Sequence, residues 1–272
     1  MRETLSSNIT KFRKERGLTQ KELGIAMCIS SQAVSKWETG STMPDITVLP
    51  KLAEVLGVST DRLLGYDAYK TEASNWEEEY KKDGYFWGVK PSMMCIKLLE
   101  LLPPTQPFKV LDIGCGEGKD AVFMARCGYA VDAFDISEAG LQKTRLFADK
   151  ARVPVRVFRA NINDFKLEHG YDVLFSSGVL HHVEPGRRDA VMMHLKESVR
   201  PKGLVMFNLF VEKPYITLPP EEENHSHLWK SGELFTYFHD WRIEYCEEYE
   251  FDCFAMSLPH RHAANRLIAR RV

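Results

Sequence analysis

Residues 110 to 120, Val-Leu-Asp-Ile-Gly-Cys-Gly-Glu-Gly-Lys-Asp, constrain the fold of this chain more than any other stretch. An apolar run, Phe108 to Ile113, leads into three glycines at alternate positions, Gly114, Gly116 and Gly118, and an amphipathic segment, Asp120 to Cys127, comes next. The pattern predicts a buried strand, a tight loop and a helix. Glycines let the backbone turn sharply and let a ligand come close to it, because no Cβ intervenes. The first turn of the new helix offers N–H groups with no partner inside the helix. Such a loop binds a nucleotide-type ligand, and its own residues leave open which one.

Beyond the loop the chain alternates between strand and helix periodicities. Tyr129 to Phe134 reads as a strand closing on Asp135, and Ser137 to Lys150 as a helix with Leu141, Thr144 and Ala148 on one face. Val155 to Phe158 and Tyr171 to Phe175 read as strands, Arg187 to Val199 as a helix, and Leu204 to Leu209 as a strand after the turn Pro201-Lys202-Gly203. This alternation predicts a doubly wound α/β sheet, whose ligands sit beyond the carboxyl ends of the strands. A dinucleotide loop would read Gly-x-Gly-x-x-Gly, and a P-loop would carry Gly-Lys-Ser or Gly-Lys-Thr; neither is present. Asp135, closing the second strand, is placed to accept from both ribose hydroxyls of an adenosine. The absence of a lysine or arginine cluster at the loop fits a ligand without pyrophosphate.

The set "VLDIGCGEGKDA", "VDAFDIS", "ANINDF", "YDVLFSSGVLHHV" and "RPKGLVMFNLF" resembles the Rossmann-like S-adenosylmethionine-dependent methyltransferases over about Phe108 to Leu209. The resemblance implies a seven-stranded doubly wound sheet and S-adenosyl-L-methionine as cofactor. It implies that Asp112, Gly114, Cys115, Gly116 and Gly118 cradle the methionine part, that Asp135 holds the ribose, and that Ile136 packs on the adenine. Asn161 and Ile162 would contact the adenine from the third strand, and Ser177 would approach the methionine end through its backbone. Many relatives carry Asp where Asn161 stands, and an Asn can still bond an adenine amine. More narrowly, "GKDAVFMARCGYAVDAFD" and the tail "SGELFTYFHDWRIEYCEE…LIARR" look like the tellurite-resistance (TehB-type) methyltransferases. That likeness implies a final antiparallel edge formed by about Trp241 to Glu250 and Ala263 to Ala269.

The front of the chain is organised differently. Leu5, Ile9 and Phe12 fall on one helical face, and Thr19-x-x-Glu22 is a capping box that starts a second helix with Leu23, Ala26 and Met27 inward. After Cys28-Ile29-Ser30, Ser30 is placed to cap a third helix, Ser31 to Glu38. Two short helices joined by a tight turn make a helix-turn-helix, whose second helix enters the DNA major groove. The stretch from "GLTQKELGIAMCISSQAVSKWETG" to "RLLG" resembles the lambda-repressor-like (XRE-type) domain over about Ile9 to Leu64, with Cys28 where a glycine is usual. The resemblance implies that Ser31, Gln32 and Lys36 face base edges and that Gln20 and Ser35 reach phosphates, as amide, ammonium and hydroxyl chemistry allows. Ala33, Val34 and Trp37, with Leu49, Leu52, Ala53, Leu56 and Val58, read as core. A helical bundle that mediates only protein contacts is the alternative. If the domain reads DNA, a homodimer on a palindromic site is expected, because one short helix reads few base pairs.

The expected organisation is therefore an all-α five-helix domain over 1–66, a linker helix over 67–84, and an α/β domain over 85–272. Charge obeys the same division. Up to Leu64 there are nine Lys and Arg against seven Asp and Glu, a balance of +2, which leaves 27 against 31, or −4, for the remainder. A hydrophobic fraction of 44% and a net charge of −2 argue against a membrane-surface protein or one that coats nucleic acid. No secretory leader and no run of membrane-spanning length is read, and the six cysteines show no zinc spacing, so buried, reduced thiols in a cytoplasmic protein and no metal site are expected. In the linker, Tyr69, Trp76 and Tyr80 are spaced for one face of a helix docking on the next domain, and Glu77-Glu78-Glu79 for a solvated face.

Methyl transfer from a sulfonium needs alignment, and it needs a general base only where the acceptor must lose a proton. Candidates for the acceptor side are Tyr85, Phe86 and Trp87, the insertion Phe210 to Trp229, and the histidines His181, His182, His260 and His262. Trp87 is counted with the cofactor-binding residues, as part of an aromatic lid or of a packing segment. The pairs His225/His227 and His260/His262 each share a strand face and can hold a metal or an oxyanion, or be surface residues. Glu221-Glu222-Glu223 reads as a solvated loop. The leading expectation is a methyltransferase acting on a small molecule, such as a metalloid oxyanion or a thiol, with a DNA-binding domain. The rival is a transcriptional regulator whose large domain senses the cofactor or a small molecule without turnover. A DNA amino-methylating enzyme is disfavoured, since Ser176-Ser177-Gly178-Val179 replaces the Pro-Pro motif of that class.

Overall fold

The structure, a computed structural model, describes residues 2–58, 60–65, 74–167, 170–217, 227–253 and 260–272. It divides into two compact units, Met1–Thr71 and Glu72–Val272.

The first unit holds α1 (Arg2–Glu15), α2 (Gln20–Met27), α3 (Ser31–Glu38), α4 (Leu49–Leu56) and α5 (Thr60–Leu64). Leu5, Ile9 and Phe12 of α1 are buried with Leu23, Val34, Trp37, Leu52 and Leu56. The capping box forms in full: the Glu22 N–H donates to Thr19 Oγ1 at 3.2 Å and the Thr19 N–H to Glu22 Oε2 at 2.7 Å. Cys28 closes α2 with φ of 55°, the left-handed conformation that a glycine adopts at lower cost. Against the expectation of buried cysteines, Cys28 on this turn and Cys246 on the last-but-one strand are exposed. A second expectation fails here. Ala26 is exposed, and Gly24 takes the buried place beside Leu23. The turn folds back onto that side of the helix, where a Cβ on Gly24 would lie 2.9 Å from the Ile29 carbonyl oxygen. Ala33 is half-buried, while Val34 and Trp37 are buried. A buried ion pair, Arg13 Nε to Glu38 Oε1 at 2.5 Å, ties α1 to the end of α3.

The second unit opens with α6 (Ser74–Lys81) and α7 (Met93–Leu101). The order then runs β1 (Lys109–Ile113), α8 (Lys119–Cys127), β2 (Ala130–Asp135), α9 (Glu138–Ala151), β3 (Val155–Arg159), β4 (Tyr171–Ser177), α10 (Arg188–Glu197) and β5 (Val199–Val211). It ends with α11 (Glu233–Thr236), β6 (Arg242–Cys253) and β7 (His260–Arg270). The sheet order is β3-β2-β1-β4-β5-β7-β6, parallel from β3 to β5, with β7 antiparallel to both of its neighbours. Val110, Leu111 and Ile113 of β1 are fully buried, Leu111 and Ile113 in one apolar cluster and Val110 in the other. Each such side chain contributes about 1.5–3 kcal/mol. The strand order reverses at β1, so the crevice at the carboxyl ends of β1 and β4 is where a ligand fits.

Several boundaries differ from expectation. The helix α10 stops at Glu197, and Val199 already pairs with Tyr171 as the start of β5. β6 and β7 run on to Cys253 and back from His260, longer than the apolar pattern alone marks, because their ladder continues through polar residues. No helix among the described residues is long and apolar enough to cross a membrane.

Candidate functional site

Backbone builds the first wall of the crevice. Gly114, Gly116 and Gly118 have φ of 71°, 53° and 83°, a region that side chains enter only with strain. The N–H groups of Gly114 and Cys115 both donate to the Phe134 carbonyl, at 2.8 and 2.9 Å, which pins the loop to the end of β2. A Cβ on Gly114 would fall 2.2 Å from Val179 Cγ2, and one on Gly118 would fall 2.7 Å from Thr144 Cγ2. Thr144 Oγ1 donates to the Gly116 carbonyl at 2.9 Å.

Three aspartates gather at this loop. Asp135 Oδ2 accepts from the Gly116 N–H at 2.8 Å and Oδ1 from the Ser137 N–H at 2.9 Å, and the Ile136 N–H also bonds to the carboxylate. Burial pushes its carboxyl up from the ordinary range, against the pull of these N–H groups. Asp112 is 3% exposed, and its Oδ2 is buried with no hydrogen-bond partner among the described residues. Burial, then the charge of Asp120, raises its proton affinity well above the ordinary value. Asp120 itself accepts from the Ser92 N–H and from Lys119 Nζ, both at 2.6 Å. A site lined by buried carboxylates favours a cationic ligand over a phosphate.

Above the loop lies a segment that the glycine motif does not announce. Glu77 Oε2 on α6 accepts from Ser137 Oγ at 2.7 Å and from the Ala139 N–H at 3.2 Å, at the N-terminus of α9. The Tyr80 ring packs on two glycines: a Cβ on Gly116 would meet its hydroxyl at 2.9 Å, and one on Gly140 would meet Cδ2 at 2.9 Å. The Tyr80 hydroxyl accepts from Trp87 Nε1 at 3.1 Å. Trp76, Phe86 and Trp87 pack around one another with centroids 4.8–5.8 Å apart. Lys143 bridges the backbone carbonyls of Lys82 and Gly84 to the buried Glu117 carboxylate. Trp87 is thus part of an aromatic cover, 42% exposed itself. Tyr69 of the expected helical stripe lies outside the described residues.

Ile136, Asn161, Ile162 and Ser177 stand at or just beyond the ends of β2, β3 and β4. Asn161 and Ile162 are buried, and Asn161 Oδ1 accepts from the Asn163 N–H at 2.9 Å, so this side chain also shapes its own turn.

The opposite wall, at the ends of β4, β5 and β7, is made of rings. His181 stacks on Phe210, and Phe210 on His262, each pair with centroids 4.4 Å apart and an interplanar angle of 16°. His181 is buried and its Nδ1 has no partner among the described residues; burial pushes its proton affinity well below the usual value, so the ring is neutral. Burial likewise lowers His262 to about 4. The His181 carbonyl accepts from the His227 N–H, and the Leu180 carbonyl from Trp229 Nε1, which clamps the post-β4 turn under the returning insertion. A cavity of about 290 Å³ opens beside these rings, lined by Val211, Lys213, Ile216, Thr217, Leu228 and His262 among others. His225 and Glu221 to Glu223 lie outside the described residues.

The family model described as "Tellurite resistance protein TehB" matches residues 80–252, and one described as "Helix-turn-helix" matches 9–63. The chain belongs to the TehB family. Among curated relatives, "Hemagglutinin 1" of Eikenella corrodens is 31% identical over 149 residues, covering 55% of this chain and 49% of its own. "Probable S-adenosyl-L-methionine-dependent methyltransferase TehB" of Haemophilus influenzae (strain 10810) is 26% identical over 170 residues, covering 61% and 58%. The chain thus spans about half the length of the curated relatives it matches. The crystal structure of TehB from Haemophilus influenzae superposes with a TM-score of 0.60 at 18% identity, covering 74% of this chain and 67% of that one, which shows a common fold.

This TehB-family chain carries its matched helix-turn-helix in the first unit. Gln32 and Lys36 are exposed on α3, and Ser31 and Ser35 are half-buried. Ser30 Oγ caps the helix, accepting from the Ala33 N–H at 3.2 Å. Gln20 is half-buried, and its amide donates to Glu38 Oε2 at 2.7 Å, the same carboxylate that holds Arg13.

Sequence reasoning missed Tyr80, Glu77, Lys143 and Thr144 at the cradle, and Cys253 at the ring wall. Thr144 was legible only as a polar residue on an otherwise apolar helix face. Cys253 comes opposite His260 through β6–β7 pairing, a relation that spacing along the chain does not encode.

Proposed function

We propose that the second unit transfers the methyl group of S-adenosyl-L-methionine to a small molecule with a soft nucleophile, a metalloid oxyanion or a thiol. The observation that carries this reading is the glycine loop ringed by Asp112, Asp120 and Asp135, with Asp112 Oδ2 buried and unpartnered among the described residues. A phosphate ligand would be repelled there. A ligand bearing a sulfonium and an ammonium, with ribose hydroxyls for Asp135, relieves the charge and supplies the missing donor. The cofactor supplies a methyl group already activated on a sulfonium. The residues of the chain bind, orient and exclude water. Gly114 to Gly118 let the ligand approach the backbone, Asp135 fixes the ribose, Ile136 and Ile162 line the adenine, and Asn161 offers its amide to it. Trp87 and Tyr80 cover the loop. His181, held neutral by burial, forms part of the acceptor wall, and an acceptor that attacks through a soft lone pair needs no base.

The test incubates the full chain with methyl-labelled cofactor and a panel of tellurite, selenite, thiols and small amines. Turnover on a soft acceptor supports the enzyme. Tight cofactor binding without turnover on any member, together with cofactor-dependent DNA binding, favours the sensor instead.

For the first unit we propose sequence-specific binding to double-stranded DNA as a homodimer, on the strength of the matched helix-turn-helix and the exposed Gln32 and Lys36. Gln32→Ala should weaken binding to a selected operator by about ten- to a hundredfold and leave cofactor affinity unchanged. Equal binding of both proteins to that operator would refute the assignment.

A further inference from the structure

Beyond the cofactor cradle, the far edge of the sheet brings together three groups that no sequence motif joins. Antiparallel pairing sets Cys253, the last residue of β6, opposite His260, the first of β7. His262 stands two positions on, so the two imidazoles share one face of the strand. Their Nε2 atoms converge to 2.8 Å, and the Cys253 thiol and the two rings each offer an atom within 4.8 Å of the others. His262 is 2% exposed and is packed by Phe210 and Phe251, with centroids at 4.4 and 5.4 Å. All three residues lie at the end of the sheet where β5 finishes, and His262 lines the cavity of about 290 Å³.

We propose that Cys253, His260 and His262 form a binding site for a borderline-soft divalent cation of the zinc kind, with a fourth coordination position open to the cavity beside His262. The donor set decides the class. One thiolate and two imidazoles favour Zn²⁺ over the oxygen-seeking Mg²⁺ and Ca²⁺. Three protein ligands with one open position mark a site that holds a further molecule, whereas purely structural zinc sites use four. Zinc bonds of about 2.0–2.3 Å put tetrahedral ligand atoms roughly 3.3–3.7 Å apart, so the present arrangement needs only small ring and thiol rotations. The apolar shell of Phe210 and Phe251 limits water around such an ion. A histidine pair joined only by a hydrogen bond would not require a thiol at the same point, and here the thiol and both rings converge.

The experiment strips the full-length chain with a chelator and titrates it with Zn²⁺ against a chromophoric competitor, then with Co²⁺ as a spectroscopic probe. The expected results are one ion per chain and a near-ultraviolet thiolate-to-cobalt charge-transfer band. Cys253→Ser should abolish the band and weaken Zn²⁺ binding by at least about a hundredfold, and His262→Ala should weaken it similarly. Cys246→Ser, an exposed thiol on the same strand, should change neither. Cofactor binding by Cys253→Ser, measured calorimetrically, should match the unaltered chain and so confirm that the variant is folded. Less than half an ion per chain, or Zn²⁺ affinity unaltered in folded Cys253→Ser, would overturn the site.

Discussion

At the β1–β2 side of the crevice the surface is backbone, pinned by other backbone and by the Asp135 and Thr144 side chains. The Gly114 and Cys115 N–H groups hang from the Phe134 carbonyl, and the Gly116 N–H from Asp135. At the β5–β7 side the surface is a stack of rings, His181 on Phe210 on His262, beside a cavity. A backbone cradle has one shape, set by dihedral angles that only glycine adopts freely. A wall of side chains is reshaped by single substitutions without disturbing the sheet behind it. The first surface therefore suits a ligand that stays the same, and the second a ligand that differs from one family member to the next.

The sharpest way to break that contrast is Asp135→Ala. Its carboxylate holds the Gly116 N–H and, on the assignment proposed above, the ribose, so cofactor affinity should fall by about a hundredfold or more. The thermal midpoint should drop too, because the Gly116 and Ser137 N–H groups lose their acceptor, worth about 1–3 kcal/mol. Calorimetric titration and thermal unfolding measure the two effects. Affinity within twofold of the unaltered chain would remove Asp135 from the ribose site.

Asp112→Asn should lower cofactor affinity about tenfold while raising the stability of the free protein. The sign comes from linkage. Burial raises the folded-state proton affinity of Asp112 above that of the unfolded chain. The stability associated with its protonated form is thus present at acid pH and lost as pH rises through the folded value. Once the pH exceeds the unfolded-state value, keeping this carboxyl buried and unpartnered is a cost that an uncharged amide does not carry, for a gain of about 1–2 kcal/mol at pH 7. The gain should shrink as the pH approaches the carboxylate range. A variant less stable than its parent at pH 7 would show that Asp112 is not a strained acceptor awaiting a cation.

On the other wall, Phe210→Leu removes the ring between His181 and His262. The KM for whichever acceptor turns over should rise about five- to tenfold with cofactor affinity unchanged, since no cradle contact described above involves Phe210. If cofactor affinity falls instead, the two walls are one site.

Legibility in the sequence divides along the same contrast. Gly114, Gly116 and Gly118 announce their strand-loop-helix because backbone geometry forces the residue type, and Asp135 announces itself by closing a strand next to that loop. The helix-turn-helix was readable for a similar reason, from the Thr19–Glu22 capping box and the Ser30 cap. Gly24 was misread because a turn folding back on its own helix is a tertiary event, invisible to a 3.6-residue period. Cys253 and His260 meet through strand register, and Tyr80 meets Gly116 and Gly140 across 36 and 60 residues of chain; no local pattern reports such distances.

Tyr80 gives the smallest and most discriminating effect. Its ring covers the loop, and its hydroxyl does one thing among the described contacts: it accepts from Trp87 Nε1 at 3.1 Å. Tyr80→Phe keeps the ring and its packing on Gly116 and Gly140 but leaves the indole N–H without its acceptor. The cost to folding is about 1 kcal/mol, and cofactor affinity should fall only about threefold, chiefly through faster dissociation as the Trp87 side of the cover loosens. Stopped-flow release of cofactor, monitored by the fluorescence of the Trp76–Trp87 cluster, measures this directly. A faster off-rate with an unchanged on-rate would make the aromatic segment a cover that holds the ligand after it arrives. Equal effects on both rates would make it part of the cradle itself, and the division between a fixed backbone wall and adjustable side chains would then have to be drawn beyond α6.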